Sequence, residues 1–205
     1  MRLVALAAVL GGSLTIAVVA GWTDSFDEAI NRLMIEWEVA WLVTFSEAVS
    51  DLGSVPIVVG VIAGIFGLLV WREGLRTGLW WLLMVLVTIL VSEGLEDLVQ
   101  RPRPVESLIH KTSWAYPSGH AMVSGVAIGI GTAAMVIARR SVATTWLWVG
   151  VAYAVAQSVA RVYLRAHWLT DVIGGLLLGT AVVGAMLMIW GKRTTQVASE
   201  SLESQ

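Results

Sequence analysis

The sequence has no cysteine, which excludes a disulfide framework, a thiolate metal site and a thiol nucleophile and leaves no marker of redox compartment. Charge is scarce as well. Lys, Arg, Asp and Glu make up 14% of the 205 residues, against 57% that are hydrophobic. No internal repeat, no nucleotide-binding glycine loop and no stretch suited to a large soluble domain interrupts the pattern. No nucleic-acid partner is expected of a chain with a net charge of −2. With a mean hydropathy of +0.79, the solvent for most of this chain is lipid.

Long uncharged runs are present instead. They lie at Leu3 to Thr23, Leu52 to Trp71, Thr77 to Ser92, Ala121 to Ala138, Ser141 to Ala160 and Val172 to Gly191. Most approach the roughly 20 residues that cross a bilayer as helix. The third is short, but its helix can continue through "EGLEDLVQ" until Pro102 removes a donor and disfavours helix at the residue before it. The expected fold is therefore all-α, a polytopic bundle of six transmembrane helices. Trp22, Trp71, Trp80, Trp81, Trp146, Trp148, Trp168 and Trp190 mark the proposed boundaries. Gly60 with Gly64, and Gly125 with Gly129, have the spacing of close helix packing.

Alternating six spans puts Arg2, Arg72, Arg76, Arg139, Arg140, Lys192 and Arg193 on one side, which the positive-inside rule makes cytoplasmic together with both termini. The first opposite loop, Thr23 to Asp51, is acidic and is expected to form an amphipathic helix on the outer surface. Arg2 with the apolar run behind it could also be a cleaved leader, although the run exceeds the roughly 7 to 15 residues of a leader core. Residues 1–192 are expected to form one membrane-embedded domain, with the motif-bearing core at about 50–190, followed by a polar, fraying tail at 193–205. Arg101, Arg103, Lys111, Arg161 and Arg165 fall on the outer side against the bias, in the two loops that hold all three histidines.

Three stretches there carry chemistry. In "YPSGH", Ser118 is placed to cap the following helix, and Gly119 allows close backbone approach. A helix N-terminus favours bound phosphate, and His120 in its first turn could exchange a proton with it. In "ARVYLRAHWLTD", His167 and Asp171 are spaced so that on a helix the carboxylate can reach one ring nitrogen and leave the other as nucleophile or base. Arg161 and Arg165 put guanidinium groups on the same side. In "EGLEDLVQRPRP" the prolines end the helix and project Arg101 and Arg103, whose planar forks match phosphate oxygens.

Together these stretches resemble the type 2 phosphatidic acid phosphatase family. Its motifs are a lysine followed after six residues by RP, then PSGH, then SR followed after five residues by H and after three more by D. They correspond to Glu96 to Pro104, Pro117 to His120, and Ala160 to Asp171. The resemblance implies a membrane lipid phosphatase with its site at the outer face and with no metal or other cofactor. His167 attacks phosphorus to form a phosphohistidine, Asp171 orients it, and His120 protonates the leaving oxygen and then activates water. Arg103 and Arg161, with Ser118 and Gly119, hold the phosphate, and Arg101 and Lys111 are possible supports. Substrates implied are a lipid phosphate or diphosphate, with undecaprenyl diphosphate first and phosphatidylglycerophosphate or phosphatidic acid next. A phosphotransferase, or a non-catalytic binder or transporter of lipid phosphates, are the alternatives.

Two positions depart from the motifs: Glu96 stands in place of the lysine and Ala160 in place of the serine. A third difference is Arg165, where the family commonly has the glycine of "YLG". Arg165 is accordingly expected to replace the missing lysine as a phosphate ligand, with Glu96 paired to Arg101 or Arg165.

Overall fold

The computed structural model describes residues 1–134 and 145–203, with side chains through residue 134 and from 147 to 192. Arg139, Arg140, Trp146 and Arg193, assigned above to the boundaries of the runs, have no described side chain. Regular structure among the described residues is wholly helical: α1 (Arg2–Val19), α2 (Asp24–Glu36), α3 (Ala40–Asp51), α4 (Val55–Glu73), α5 (Leu75–Val99), α6 (His120–Gly131), α7 (Thr145–Tyr163) and α8 (Leu169–Glu203). Four of these, α1, α4, α5 and Leu169–Lys192 of α8, are long and apolar enough to cross a membrane. The apolar helix His120–Ala134 is shorter.

α5 follows the expected course through "EGLEDLVQ". It stops at Gln100, whose φ of 51° turns the chain out of the helix ahead of Pro102. The acidic loop differs from expectation, since it forms two helices rather than one. Their break at Trp37 to Val39 is held from α7, where the Tyr163 hydroxyl donates to the Trp37 carbonyl at 3.0 Å and accepts from the Val39 amide at 2.9 Å. α8 runs on through the polar stretch after Gly191 to Glu203.

α6 is the hub, packed against α5, α7 and α8, while α1 lies on α8, α4 on α5, and α3 on α7. It is wound with π-helical turns along its length. Gly129 on α6 lets the backbone come so close to Gly150 on α7 that an added Cβ would sit 3.1 Å from its carbonyl oxygen. Gly125 meets Ala154 in the same way at 3.0 Å, so this pair is a packing motif. Gly60 and Gly64 are not, because among the described residues nothing lies within 4 Å of a Cβ added at either. They face outward on α4, whose one buried residue is Leu69. The core of Trp81, Met84, Val85, Val126, Ala127 and Val183 lies below the motif loops, and Trp81 donates to Thr132 at 2.9 Å to tie α5 to the end of α6.

Bare glycines also seat the site. Gly174 and Gly175 in the first turns of α8 allow Tyr116 and the Ser118 carbonyl to press onto the helix, where a Cβ would come within 2.6 and 2.7 Å of them. The Tyr116 hydroxyl reaches Thr15 on α1 at 2.8 Å, so α1, the PSGH loop and α8 form one packed unit.

Candidate active site

The three motif stretches converge at one end of the bundle. His167 lies in the turn between α7 and α8, 4% exposed. Its Nδ1 is 2.7 Å from the Ala115 carbonyl oxygen, which can only accept, so Nδ1 carries the proton. Nε2 therefore holds a lone pair, and it faces Arg103 Nη1 at 3.0 Å. Burial first, and then the charges of Arg161 and Arg103, hold the His167 pKa well below the ordinary histidine value. The ring is thus kept neutral, as a nucleophile must be.

Asp171 does not orient His167 by a direct hydrogen bond, as its spacing suggested. The carboxylate is 3.7 Å from Nδ1. The physical reason is that His167 precedes α8, so the two residues do not share a helical turn. Asp171 Oδ2 instead accepts from the Trp168 amide at 2.8 Å, closing the N-terminus of α8, and Oδ1 accepts from Arg101 Nη1 at 2.6 Å. The tautomer is set by Ala115, with the carboxylate as a nearby charge.

The arginines divide into two groups. Arg103 donates to the carbonyls of Ser113, Trp114 and Ala166 at 2.6 to 2.8 Å, a rigid seat that aims Nη1 at Nε2. Arg161, 2% exposed on α7, donates from Nη1 to Ser50 Oγ at 2.9 Å, while its Nε is buried without a partner. Both belong beside His167. Arg101 does not project into the loop; it is buried between Asp27 and Asp171 at 2.7 and 2.6 Å and is committed to that network. Arg165 engages Glu38 through Nη2 at 2.7 Å and the Glu106 carbonyl through Nε at 2.8 Å, leaving Nη1 buried and unpartnered. Its φ of 53° lies in the left-handed region, which accounts physically for a glycine at this position in the motif it resembles.

Glu96 pairs with neither Arg101 nor Arg165. It stands 3.9 Å from Arg103 Nη2, with Oε1 buried and without a hydrogen bond. A carboxylate thus offsets part of the charge on the arginine nearest the nucleophile.

Ser118 does not cap α6. Gly119 takes that position with no side-chain cap, and the Ser118 hydroxyl is buried and unpartnered. The Ser118 amide donates to the Asp171 carbonyl at 3.0 Å, so the hydroxyl, not the amide, remains for a phosphate. Gly119 sits with Ser92 Oγ 3.7 Å from the place of a Cβ. His120 opens α6 against Gly53, where an added Cβ would lie 3.0 Å from its Nε2, and it feels the charges of Arg161, Lys111 and Arg103. Lys111 itself is exposed. No group of His, Asp and Glu suited to a metal ion occurs among the described residues.

Sequence reasoning missed Asp27, Ser50, Glu38 and the Ala115 carbonyl. One signal was available for Asp27, which shares the inward stripe of α2 with Ile30, Asn31 and Met34. A backbone carbonyl leaves no trace in sequence.

The PAP2 superfamily model matches residues 77–195, more than half of the chain and the segment carrying all three motifs. The chain belongs to the PAP2 superfamily. Its fold agrees with a crystal structure of a transmembrane PAP2-type phosphatidylglycerolphosphate phosphatase from Bacillus subtilis at a TM-score of 0.81, with 25% identity, covering 94% of this chain and 98% of that one. Phosphatidylglycerophosphatase B of Bacillus subtilis (strain 168) is 29% identical over 175 residues, 81% of this chain and 84% of the relative. Undecaprenyl-diphosphatase of Sulfolobus acidocaldarius is 29% identical over 121 residues, 55% of each chain. The chain is accordingly a multi-pass membrane protein of PAP2 fold.

Proposed function

We propose that this PAP2 protein is a membrane lipid phosphatase that removes phosphate from a lipid phosphate or diphosphate through a phosphohistidine on His167. The observation that carries the reading is the lone pair of His167 Nε2, held beside Arg103 in a ring kept neutral. In the reaction Nε2 attacks phosphorus, and the bond from phosphorus to the lipid oxygen, or to the bridging oxygen of a diphosphate, breaks in line. His120 gives its proton to the leaving oxygen. It then takes a proton from the water that attacks the phosphohistidine, releasing phosphate and restoring Nε2. Arg103, Arg161 Nε and the Ser118 hydroxyl are the donors for the equatorial oxygens, the last two being buried and unpartnered beforehand. Gly119 leaves the backbone accessible there, and Lys111 and Arg165 stand in a supporting ring.

The substrate classes are those named for the relatives. Phosphatidylglycerophosphate is favoured by the match that spans more of the chain, and undecaprenyl diphosphate by the shorter one. In the membrane we place α1, α4, α5, α6, α7 and α8 as six spans, with the site at the outer face and both termini in the cytoplasm. The distribution of Arg2, Arg72, Arg76 and Lys192 supports that orientation. The test is phosphate release by purified protein from a panel of lipid phosphates and diphosphates, with chelator present. Release from at least one substrate is expected. Binding without release would support the non-catalytic reading, and transfer to an added alcohol in preference to water would support the phosphotransferase.

A further inference from the structure

We propose that Asp27, on α2 and outside the segment matched by the family model, is a positioning residue of the phosphatase reaction, acting on His167 through Arg101, Thr170 and Asp171. The inference rests on the phosphatase reading above.

The carboxylates of α2 have divergent fates. Asp24 and Glu28 are about 60% exposed, whereas Asp27 is 1% exposed. A carboxylate withdrawn from water needs several donors. Asp27 has three: the Thr170 amide at 3.0 Å, the Thr170 hydroxyl, and Arg101 Nη2 at 2.7 Å. Arg101 turns its other nitrogen to Asp171 at 2.6 Å and to the Thr170 hydroxyl at 2.8 Å. Asp27 therefore reaches Asp171 by two routes, one through a guanidinium and one through the preceding residue in the chain.

What Asp171 holds makes this consequential. Its side chain closes the turn of His167 through the Trp168 amide, and its backbone carbonyl holds the Ser118 amide of the PSGH loop. One anchored residue thus sets the nucleophile against a phosphate donor. The Arg101 guanidinium is shared by three carboxylates, Asp171 at 2.6 Å, Asp27 at 2.7 Å and the exposed Asp24 at 3.3 Å, and the Asp171 carboxyl it holds lies 3.7 Å from Nδ1 of His167.

The test uses the full chain in detergent and compares wild type with Asp27→Asn, Thr170→Val and the control Glu28→Gln. Asp27→Asn keeps the size and one acceptor but removes the charge. Misplacement of a reacting group by about 1 Å costs on the order of 100-fold. The expected result is therefore a fall in kcat of roughly 10- to 100-fold for Asp27→Asn, with KM within about threefold and thermal unfolding still cooperative. Thr170→Val should fall less in the same parameter, and it decides the matter if Asp27→Asn does not fold. Glu28→Gln should match wild type. An active wild type with unchanged kcat in Asp27→Asn and Thr170→Val, or with the loss confined to KM, overturns the proposal. A wild type inactive on every lipid overturns the phosphatase reading instead.

Discussion

Arginines stand at both ends of the helical bundle, and the two ends hold them in different ways. At the end carrying Trp71 and Trp190, Arg72 lies over the Trp71 ring at 4.7 Å and Arg76 over Trp190 at 5.6 Å, both exposed. A cation over an aromatic face is a common arrangement for an exposed charge at a membrane boundary. At the motif end Arg101, Arg161 and Arg165 are all under 10% exposed and draw on carboxylates, carbonyls and a serine that come from distant parts of the chain. Burial of a cation is costly unless it is paired, so the second arrangement demands a built network, and that network forms the reaction site.

The sharpest contrast is in stability. Arg101→Leu leaves Asp27 and Asp171 buried without their shared cation and should destabilise by about 3–5 kcal/mol, enough to lose folded protein in detergent. Arg76→Leu at the other end should cost about 1 kcal/mol or less. Equal melting shifts for the two would erase the distinction between the ends.

Next in size is Arg161→Ala, which removes a donor aimed at transition-state charge and should lower kcat by about 100- to 1,000-fold, or roughly 2.7–4 kcal/mol. Steady-state phosphate release measures this, and a loss seen only in KM would make Arg161 a ground-state binder.

These two arginines also show what could be read before folding. Apolar runs located the four long apolar helices, and three motif spacings pointed to His120, His167, Arg103 and Arg161, which the fold brings into one neighbourhood, because periodicity and span length are local properties of sequence. The partners were not local. Arg101 finds Asp27 across 74 positions, Arg161 finds Ser50 across 111, and His167 finds the Ala115 carbonyl across 52. In α2 the helical register with Ile30 and Met34 marks Asp27 as inward, but which cation it meets there is decided by packing. The same holds for Asp171, whose spacing from His167 suggested a helical pair that the start of α8 at Leu169 prevents.

Arg165 gives a smaller effect. Arg165→Gly relieves a left-handed backbone and removes the ion pair with Glu38, which is 44% exposed. Exposed pairs are worth about 0–1 kcal/mol, so kcat/KM should change by less than about tenfold. A fall of about 100-fold or more would return Arg165 to the phosphate pocket as a direct ligand.

The smallest expected change is with pH. The pKa of His167 is held below the ordinary value of about 6.5, and a base is neutral above its pKa, so the nucleophile is fully available throughout the neutral range. The ring nitrogens of His167 should therefore show no protonation between about pH 7.5 and about 6 in an NMR titration. A chemical-shift change following an ordinary histidine titration would show that His167 is not held neutral.

The most direct measurement is rapid quenching of the enzyme with a lipid phosphate carrying labelled phosphorus, followed by mapping of any acid-labile label on the protein. Label is expected on His167 in wild type, to accumulate in His120→Ala with a leaving group that departs without protonation, and to vanish in His167→Ala together with about 10⁴-fold or more of the activity. Full turnover by His167→Ala, or label mapped to another residue, would contradict the assignment of His167 as the nucleophile.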